Sequence, residues 1–431
     1  MTPGMVSGEG EPVPQLQSRN VCVVGAGMAG LAAARELRRE GHAVTVLEQC
    51  GDVGGQWLYD PSTDGGDLFE SAAEPVSVHS SMYDSLRLIS GREAMGFSDF
   101  QFVPRPGRDA RSFSGHREVY CYLRDFSDAF GLSDAIRLNT RVFRVAMAPP
   151  PATTRQWEVR SVTGETVTEE VFDAVVVANG HYSQPRLPSI RGMGEWTRRQ
   201  LHSHSYRVPE PFRGEVVVMV GCGDSGRDIA LDLRPVAREV HLSANTPNSD
   251  SATTPAMSRM LANHANLYLH PQIERLHADG RVVFVDGSCV VADAIVYCTG
   301  YAYSFPFLDT GGAVTVDADD NVKLYEFGGK YCDIEDWKIE IIAFDIARMK
   351  EDVEAYRELD RRAISDNVRR GLERWLGGPS ASAQAQGDHQ TTAVAAVDAQ
   401  DMPPKLILDV AEVDAQDMTE ERHACLAGIP A

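Results

Sequence analysis

Two stretches of the chain each join a run of apolar residues to a glycine turn and then to a predicted helix. The first is VCVVGAGMAG (21–30) and the second is VVVMVGCGDSG (216–226). An unbroken apolar run is typical of a parallel strand that is buried on both faces, and a strand, turn and helix in that order begin a βαβ unit. Two such units predict an α/β protein with two dinucleotide-binding, Rossmann-like three-layer domains.

The first turn has the spacing Gly25-x-Gly27-x-x-Gly30. Its glycines allow, in order, a tight turn, a close approach of the backbone to a pyrophosphate, and close packing of helix on strand. The N–H groups at the start of the helix then face the pyrophosphate. Glu48 ends the next predicted strand, 18 residues after Gly30, where a carboxylate accepts hydrogen bonds from a ribose diol. The predicted cofactor-binding residues of this unit are Gly25, Ala26, Gly27, Met28, Ala29, Gly30 and Glu48.

The second turn repeats the spacing as Gly221-x-Gly223-x-x-Gly226. Nineteen residues after Gly226 stands Asn245, which is neither an acid that reads a free ribose nor an arginine that reads a 2′-phosphate. The pattern predicts a pyrophosphate site and leaves the choice between NADH and NADPH open. Its predicted residues are Gly221, Cys222, Gly223, Asp224, Ser225 and Gly226. For either turn, the alternative is a glycine turn that binds no ligand.

Two dinucleotide sites in one chain suggest that one binds a flavin and the other a nicotinamide dinucleotide that delivers hydride to it. The glycine-rich loop GDVGGQW (51–57) follows Glu48 directly and can pass close to the ribityl phosphate of a flavin. We therefore predict FAD in the first unit, with Gly55, Gln56 and Trp57 as further cofactor-binding residues, and a nicotinamide cofactor in the second.

Composition limits the other functions. The net charge of −21 disfavours binding to nucleic acid or to an anionic membrane surface. The eight cysteines include no CxxC pair, which argues against a zinc ribbon and a redox-active dithiol, so no metal site is predicted. The first 20 residues are not a signal peptide, and no apolar run approaches the roughly 20 residues of a membrane span. These features predict a cytoplasmic protein with no membrane partner.

Composition and pattern divide the chain into five predicted parts. They are a flexible lead-in (1–19), the first part of an FAD-binding domain (20–188), an inserted NADP-binding domain (189–300), a truncated return to the FAD domain with C-terminal helices (301–376), and a disordered tail (377–431). The tail is rich in Ala, Gln, Asp and Pro, a composition that is typical of disorder. Residues 172–178 are predicted to form one buried strand, and 335–350 an amphipathic helix.

Further motifs extend beyond the two turns. They are GGQW (54–57), MGFSDFQF (95–102), FSGHREVYCYL (113–123), VVANGHYSQPRLP (176–188), LHSHSYRVPEPF (201–212) and CTGY (298–301). Together with GAGMAG and GCGDSG, they resemble the flavin-containing monooxygenases, and most closely their plant S-oxygenase-like (glucosinolate S-oxygenase-like) branch. The resemblance runs from about Val21 to Tyr325 and resumes near the C-terminus.

The resemblance implies a reaction. NADPH would reduce the FAD, molecular oxygen would add at flavin C4a to give a hydroperoxide, and a soft nucleophile would attack the distal oxygen. That nucleophile would be the sulfur of a small thioether or the nitrogen of an amine. The cofactor performs the difficult step, so the protein mainly has to keep water away from it. No catalytic residue is predicted.

Three positions depart from the family pattern. Ile89 occupies the place of an asparagine that lies near the reactive edge of the flavin, and an isoleucine cannot donate a hydrogen bond. Asn245 replaces an arginine that contacts the 2′-phosphate, so a weaker preference for NADPH is expected. In the identifying motif, Trp196, His202 and Tyr206 match while Arg198 replaces a glycine. We interpret His202 as a structural residue of the linker between the two domains.

After 317–325 the chain continues directly into a segment that resembles the extreme C-terminal helices of the family. The resemblance therefore implies that on the order of a hundred residues are missing by comparison with the family. A sheet without its closing strand is expected to expose an edge. The alternative function is therefore a truncated nucleotide-binding relative without oxygenase activity, at most an uncoupled NADPH oxidase. A disulfide reductase is disfavoured because no paired cysteines are present.

Overall fold

The computed structural model of the protein describes residues 18–63, 78–148, 156–244, 254–312, 314–316, 322–323, 335–377 and 406–408. Almost all of the predicted lead-in and tail, the position Asn245 and most of the expected gap region lie outside these ranges. Within the described ranges, no helix is long and apolar enough to cross a lipid bilayer.

The α-helices of the described residues are numbered in chain order. They are α1 (Met28–Arg39), α2 (Arg92–Met95), α3 (His116–Ala129), α4 (Asp224–Leu233), α5 (Pro255–Asn263), α6 (Asp336–Glu351) and α7 (Asp366–Gly377). The helices predicted after both glycine turns are confirmed, and the helix predicted at 335–350 is confirmed to within one residue at each end.

The strands are numbered in the same way. They are β1 (Asn20–Val24), β2 (Ala43–Leu47), β3 (Ile136–Arg137), β4 (Thr140–Met147), β5 (Trp157–Thr163), β6 (Thr166–Phe172), β7 (Ala174–Val177), β8 (Gln184–Pro185), β9 (Arg199–His202), β10 (Val216–Val220), β11 (Glu239–Ser243), β12 (Leu267–His270), β13 (Ile273–Leu276), β14 (Arg281–Phe284), β15 (Cys289–Val291), β16 (Ala294–Tyr297), β17 (Tyr301–Ala302), β18 (Leu308–Asp309), β19 (Thr315–Val316), β20 (Val322–Lys323) and β21 (Leu406–Leu408).

The first glycine turn follows the central strand of a parallel sheet with the order β21-β7-β1-β2-β3. Successive side chains of a strand point to opposite faces, so β1 serves two layers. Val21 and Val23 pack against helices α1 and α3, while Cys22 and Val24 pack against the strands β4 and β5. Burial on both faces explains why this strand is an unbroken apolar run.

The strands β4, β5 and β6 form an antiparallel meander, with β18 added parallel to β4. The meander forms the third layer of the first unit.

The second glycine turn follows β10, which is central in a second parallel sheet with the order β12-β11-β10-β16-β9. Every residue of β10 is buried. Val217 and Met219 face the helices α4 and α5, and Val218 faces the small antiparallel sheet β13-β14-β15. The predicted fold class, an α/β protein with two three-layer nucleotide-binding units, is confirmed.

Two predictions about β7 need correction. The predicted strand 172–178 is in fact two strands, because Asp173 separates them and accepts a hydrogen bond from the N–H of Asn20 at 2.8 Å. In addition, β21 pairs in parallel with β7 on the edge that was expected to be exposed. The rest of the predicted tail lies outside the described residues.

The two units contact each other through hydrogen-bonded side chains. The hydroxyl of Tyr83, from the first unit, donates to Asp228 on α4 of the second unit. Arg357, from the C-terminal segment, places Nη1 3.2 Å from Asp228 and donates from Nε to the carbonyl of Leu88 at 3.1 Å. The C-terminal segment therefore touches both units.

The same segment is held to the first unit by a buried ionic cluster. Nη1 of Arg361 lies 2.9 Å from Glu93 and 3.4 Å from Asp345 on α6. Burial raises the pKa of Asp345 to about 7, while Arg361 opposes the shift and Glu93 adds to it. One guanidinium thus serves two carboxylates.

Candidate functional site

The first glycine turn is folded so tightly that side chains do not fit. Gly25 has φ +104°, and a Cβ there would collide with the carbonyl oxygen of Ala178 at the end of the neighbouring strand. A Cβ on Gly30 would collide with the carbonyl oxygen of Gly25. A Cβ on Gly27 would lie 3.5 Å from Gly55, so this turn sits directly against the 54–57 loop. The two segments predicted to bind one cofactor are in contact.

Glu48 is a buried carboxylate at the end of β2, with 4% of its surface exposed. It accepts hydrogen bonds from the N–H of Ala26 at 2.7 Å and from the N–H of Cys50 at 2.8 Å. A carboxylate has about four acceptor positions, so it can accept further bonds from hydroxyl groups. The two backbone bonds fix it beside the glycine turn.

A cavity of about 620 Å³ opens in front of this turn. Its walls come from the segments 140–143, 177–184 and 303–307, together with His79 and the predicted residues Gly25, Gly27, Met28, Ala29, Glu48, Gly55, Gln56 and Trp57. Ala26 and Gly30 are the predicted residues of this unit that do not line it. Ala26 is fully buried with its N–H bonded to Glu48, and Gly30 packs the helix against the turn.

The second glycine turn repeats this construction. Gly221 has φ +113°, and a Cβ there would collide with the carbonyl oxygen of Cys298 at the end of β16. A Cβ on Gly226 would collide with the carbonyl oxygen of Gly221. Gly223 has open space around its Cβ position. The N–H of Gly221 donates to the carbonyl of Ser243, the last residue of the adjacent strand β11, at 3.0 Å, as the N–H of Gly25 donates to Leu47 at 2.9 Å. The residue after Ser243 is the buried Ala244, where the first unit has the carboxylate of Glu48.

Both turns lead into helices whose N-termini have no side-chain cap. Gly27 precedes α1 and Gly223 precedes α4, and neither helix start receives a side-chain hydrogen bond. The first N–H groups of a helix have no acceptor within the helix, and they attract anions. Ser225 lies on the first turn of α4, and Cys222 is buried in the turn, where burial raises the pKa of its thiol to about 11.

Comparison with known proteins agrees with the resemblance to flavin-containing monooxygenases that the sequence motifs predict. The model of the FMO-like family, described as flavin-binding monooxygenase-like, matches residues 18–249. A relative from Arabidopsis thaliana, flavin-containing monooxygenase FMO GS-OX-like 8, is 55% identical over 322 residues, which cover 73% of this chain and 68% of the relative.

This chain belongs to the flavin-binding monooxygenase family.

Two solved structures share the fold of this monooxygenase. S-allyl-L-cysteine S-oxygenase from Allium sativum is 34% identical with a TM-score of 0.76, and the match covers 84% of this chain and 100% of that one. OTEMO in complex with FAD and NADP is 17% identical with a TM-score of 0.50, covering 68% of this chain and 74% of that one. The predicted family is thereby confirmed, and FAD and NADPH are the cofactors of this monooxygenase.

The residues present fit an FAD at the first turn. The cavity lies within the range of about 300 to 1,000 Å³ that is usual for ligand pockets. Uncapped N–H groups of α1 and the buried carboxylate of Glu48 both border it, which matches the needs of a pyrophosphate and of a ribose diol. The segment that follows β7 and the stretch 303–307 were missed as cavity walls because nothing in their local sequence shows where the fold brings them.

Ile89 is not part of this cavity. Its side chain is 44% exposed, and its carbonyl oxygen lies 3.5 Å from the hydroxyl of Tyr356 in the C-terminal segment. The structure therefore does not bring Ile89 together with the predicted flavin-binding residues.

The interpretation of His202 as a linker residue is wrong, because β9 is a strand of the second parallel sheet and His202 is its last residue. Arg198 directly precedes the same strand. His202 is buried at the end of β9, and its Nδ1 accepts the N–H of His204 at 3.1 Å. Burial and the neighbouring His204 lower the pKa of His202 to about 3, so its imidazole is neutral near pH 7, as suits a structural residue. Arg198 donates to the carbonyls of Ala292 and Asp279 at 2.5 and 3.0 Å. This arginine, which stands where the family has a glycine, thereby holds the start of β9 to the loops of the small antiparallel sheet.

Proposed function

We propose that this protein is an FAD- and NADPH-dependent monooxygenase that transfers one oxygen atom from O₂ to a soft sulfur or nitrogen atom of a small thioether or amine. The second oxygen atom leaves as water, and NADPH supplies the two electrons. The observation that carries the proposal is that the chain contains two glycine turns whose first and third glycines leave no room for a side chain. The first of these turns opens onto a cavity of about 620 Å³.

Each predicted residue of the first unit has a role in this proposal. The N–H groups near Gly27, Met28 and Ala29 bind the pyrophosphate of FAD, because they border the cavity and have no side-chain cap. Glu48 accepts hydrogen bonds from the ribose of the adenosine. Gly55, Gln56 and Trp57 border the ribityl chain. Gly25 and Gly30 shape the turn.

The residues of the second unit are proposed to bind NADPH. Gly221 and Gly226 shape the turn, and Gly223 leaves room for a phosphate next to the backbone. Asp224 and Ser225 begin the helix whose free N–H groups face the pyrophosphate.

When bound, the reduced flavin supplies the activation of oxygen, and the nicotinamide supplies the hydride. The chain's own residues hold the two cofactors and exclude water. The cavity wall contains the aromatic side chains of Trp57, Phe143, Tyr303, Phe305 and Phe307, whose apolar rings disfavour water on their part of the wall. No side chain is required to move a proton in this scheme.

The proposed substrate class follows from the family and from one neighbour. The similar structure from Allium sativum is an S-oxygenase of S-allyl-L-cysteine, which is a thioether. We extend the thioether class, and not that particular molecule, to this chain. We also propose the domain boundaries 20–188, 189–300 and 301–376, and a location in the cytoplasm.

The test is a mass balance on the purified full-length protein loaded with FAD. S-allyl-L-cysteine is the probe, and its ether isostere, in which oxygen replaces sulfur, is the control. We expect NADPH consumption to be matched by sulfoxide formed from the thioether and not from the ether. NADPH loss that is matched entirely by hydrogen peroxide would contradict the proposal.

That contradicting result would instead support the uncoupled NADPH oxidase. One observation favours this second candidate. Ile89 stands at the family's asparagine position in the sequence, but its side chain cannot donate a hydrogen bond and lies outside the cavity. It therefore cannot supply the hydrogen bond of that asparagine at the reactive edge of the flavin.

A further inference from the structure

Arg227 is a buried arginine that lies directly behind the second glycine turn. It follows Gly226, and its N–H donates to the carbonyl of Gly223 at 3.0 Å, which opens the hydrogen-bond ladder of α4. Only 8% of its side chain is exposed. Long side chains of a helix lean toward the N-terminus of that helix. The guanidinium accordingly reaches back over the first helical turn, where its Nη2 lies 2.5 Å from the carboxylate of Asp224.

The hydrogen bonds of this guanidinium are incomplete. An arginine side chain carries five N–H donors. The Nε of Arg227 is buried and has no acceptor among the described residues. Buried donors without a partner are rare in folded proteins because they lose their hydration and gain nothing in exchange. The Nε is thus suited to an acceptor that a ligand brings.

The surroundings of this donor favour an anion. The N-terminus of α4 has no side-chain cap, so its first N–H groups are available close to the guanidinium. The positive end of the helix dipole adds to the charge of Arg227. That charge reaches into the turn, where it opposes the effect of burial on the pKa of Cys222. Arg227 and the start of α4 thus both place donors near the second glycine turn.

We propose that Arg227 donates a hydrogen bond to a phosphate group of the nicotinamide dinucleotide. The proposal rests on the proposed function only in taking this cofactor as the ligand. Two phosphate groups are chemically suitable: the diphosphate that NAD⁺ and NADP⁺ share, and the 2′-phosphate that only NADP⁺ carries. No residue of the fingerprint pattern marks this role, because the pattern specifies glycines and leaves the position after the third one free.

Arg227 has a second effect because it forms an ion pair with Asp224. A carboxylate on the first residue of α4 repels a phosphate at the same helix N-terminus, and the pairing with Arg227 offsets that charge. A variant that lacks the arginine therefore loses a ligand and also leaves Asp224 uncompensated. The experiment has to separate these two effects.

Dissociation constants of NADP⁺ and NAD⁺ are measured by calorimetry on the full-length, FAD-loaded protein and on Arg227→Met. The control is Arg281→Met, which removes one positive charge from a half-exposed side chain of the same unit that pairs with Asp279 at 2.8 Å. We expect Arg227→Met to weaken NADP⁺ binding about 10- to 100-fold, the range of a charge-assisted hydrogen bond, and the control to stay within about twofold. Retained FAD absorbance and an unchanged melting temperature verify folding.

The NAD⁺ arm identifies the phosphate. Weakening of both ligands assigns the contact to the diphosphate, and weakening of NADP⁺ alone assigns it to the 2′-phosphate. The proposal is overturned if both dissociation constants stay within about twofold of the wild type.

A double variant, Asp224→Asn with Arg227→Met, tests whether the arginine only neutralises its neighbour. If it restores wild-type affinity, the arginine is not a phosphate ligand and the proposal fails; continued weakening supports it. These measurements need no oxygenation, so a protein that binds NADP⁺ through Arg227 but makes only peroxide would refute the proposed function and leave this inference standing.

Discussion

The two glycine turns have the same backbone and different surroundings. In both, the first and third glycines exclude a Cβ because a carbonyl oxygen occupies its place. The first turn is flanked by the buried carboxylate of Glu48 and by a cavity of about 620 Å³. The second is flanked by Ser243 on the neighbouring strand and by the ion pair of Asp224 with Arg227. The shared backbone is what a dinucleotide site needs in each unit, and the different surroundings are the basis of our proposal that the first unit binds FAD and the second binds NADPH.

The difference also concerns how firmly a ligand is held. The first turn and the 54–57 loop contact each other and both line the same cavity, which suits a cofactor that stays bound. The described residues around the second turn contribute a helix N-terminus with one ion pair, which suits a ligand that binds and leaves in each reaction cycle.

Replacement of the third glycine should have the largest effect. In Gly30→Ala, the new methyl group collides with the backbone of Gly25, which cannot move without opening the turn. We expect a loss of about 3 kcal/mol or more in the free energy of unfolding and a protein purified without FAD. Gly226→Ala makes the same collision in the second unit and should abolish NADP⁺ binding.

Gly194→Ala is the control for both variants, since its Cβ would meet no atom within 4 Å. Melting temperature and flavin absorbance are the measurements. A Gly30→Ala protein with full FAD content and wild-type stability would show that the close contact in the turn does not matter.

Glu48→Gln should weaken the binding of FAD without changing the binding of NADP⁺, and so distinguish the two units. The amide keeps the shape of the side chain but replaces a charged acceptor, on which the N–H groups of Ala26 and Cys50 depend. We expect FAD to bind about 10- to 100-fold more weakly, or about 1.5 to 3 kcal/mol, with NADP⁺ affinity unchanged. Glu36→Gln, on the exposed side of α1, is the control. Equal losses for both ligands would remove the distinction between the units.

Gly223→Ala tests the approach of a ligand without disturbing the protein. No described atom lies within 4 Å of the Cβ position, so the melting temperature should not change. A methyl group there would still keep a phosphate from the backbone, and we expect NADP⁺ binding to weaken about tenfold. Unchanged NADP⁺ affinity in calorimetry would mean that the ligand does not approach this glycine.

The smallest effect on nucleotide binding is expected from the contact of the C-terminal segment with the first unit, which should act on stability alone. The pKa of Asp345 is raised to about 7 from 3.8, so the folded state binds a proton more tightly than the unfolded state. Stability from this group is complete below pH 4 and declines as the pH rises to 7, with a slope of at most about 1.4 kcal/mol per pH unit. Asp345→Asn should flatten this part of the pH profile in urea denaturation. A slope that persists in the variant would assign it to another group.

The sequence predicted the features that are local. Glycine spacing, the apolar strands and the position of Glu48 each lie within a single βαβ unit, where the pattern determines the geometry. The boundary inside 172–178 was missed because a single polar residue, Asp173, interrupts an apolar run. β21 was missed because three apolar residues in an acidic tail are too short to stand out.

The remaining features depend on contacts between distant parts of the chain. His79 and the 303–307 stretch are far in sequence from the first glycine turn, and only the folded chain brings them to the cavity wall. The burial of Arg227 cannot be read from a helix pattern, in which an arginine normally faces water. The sites assigned to individual residues stay predictions that the variants above examine.

Arg357 bonds to Leu88 and Asp228, residues that precede it by 269 and 129 positions. On the ribosome, both glycine turns emerge and can fold well before this arginine is made, since domains tend to fold in the order of synthesis. The contacts of Arg357 with the two units therefore form late, because this arginine lies in one of the last folded segments to be translated. A chain that stops early would carry both nucleotide sites without the arginine that links them, and a nascent-chain assay could detect that state by its sensitivity to protease.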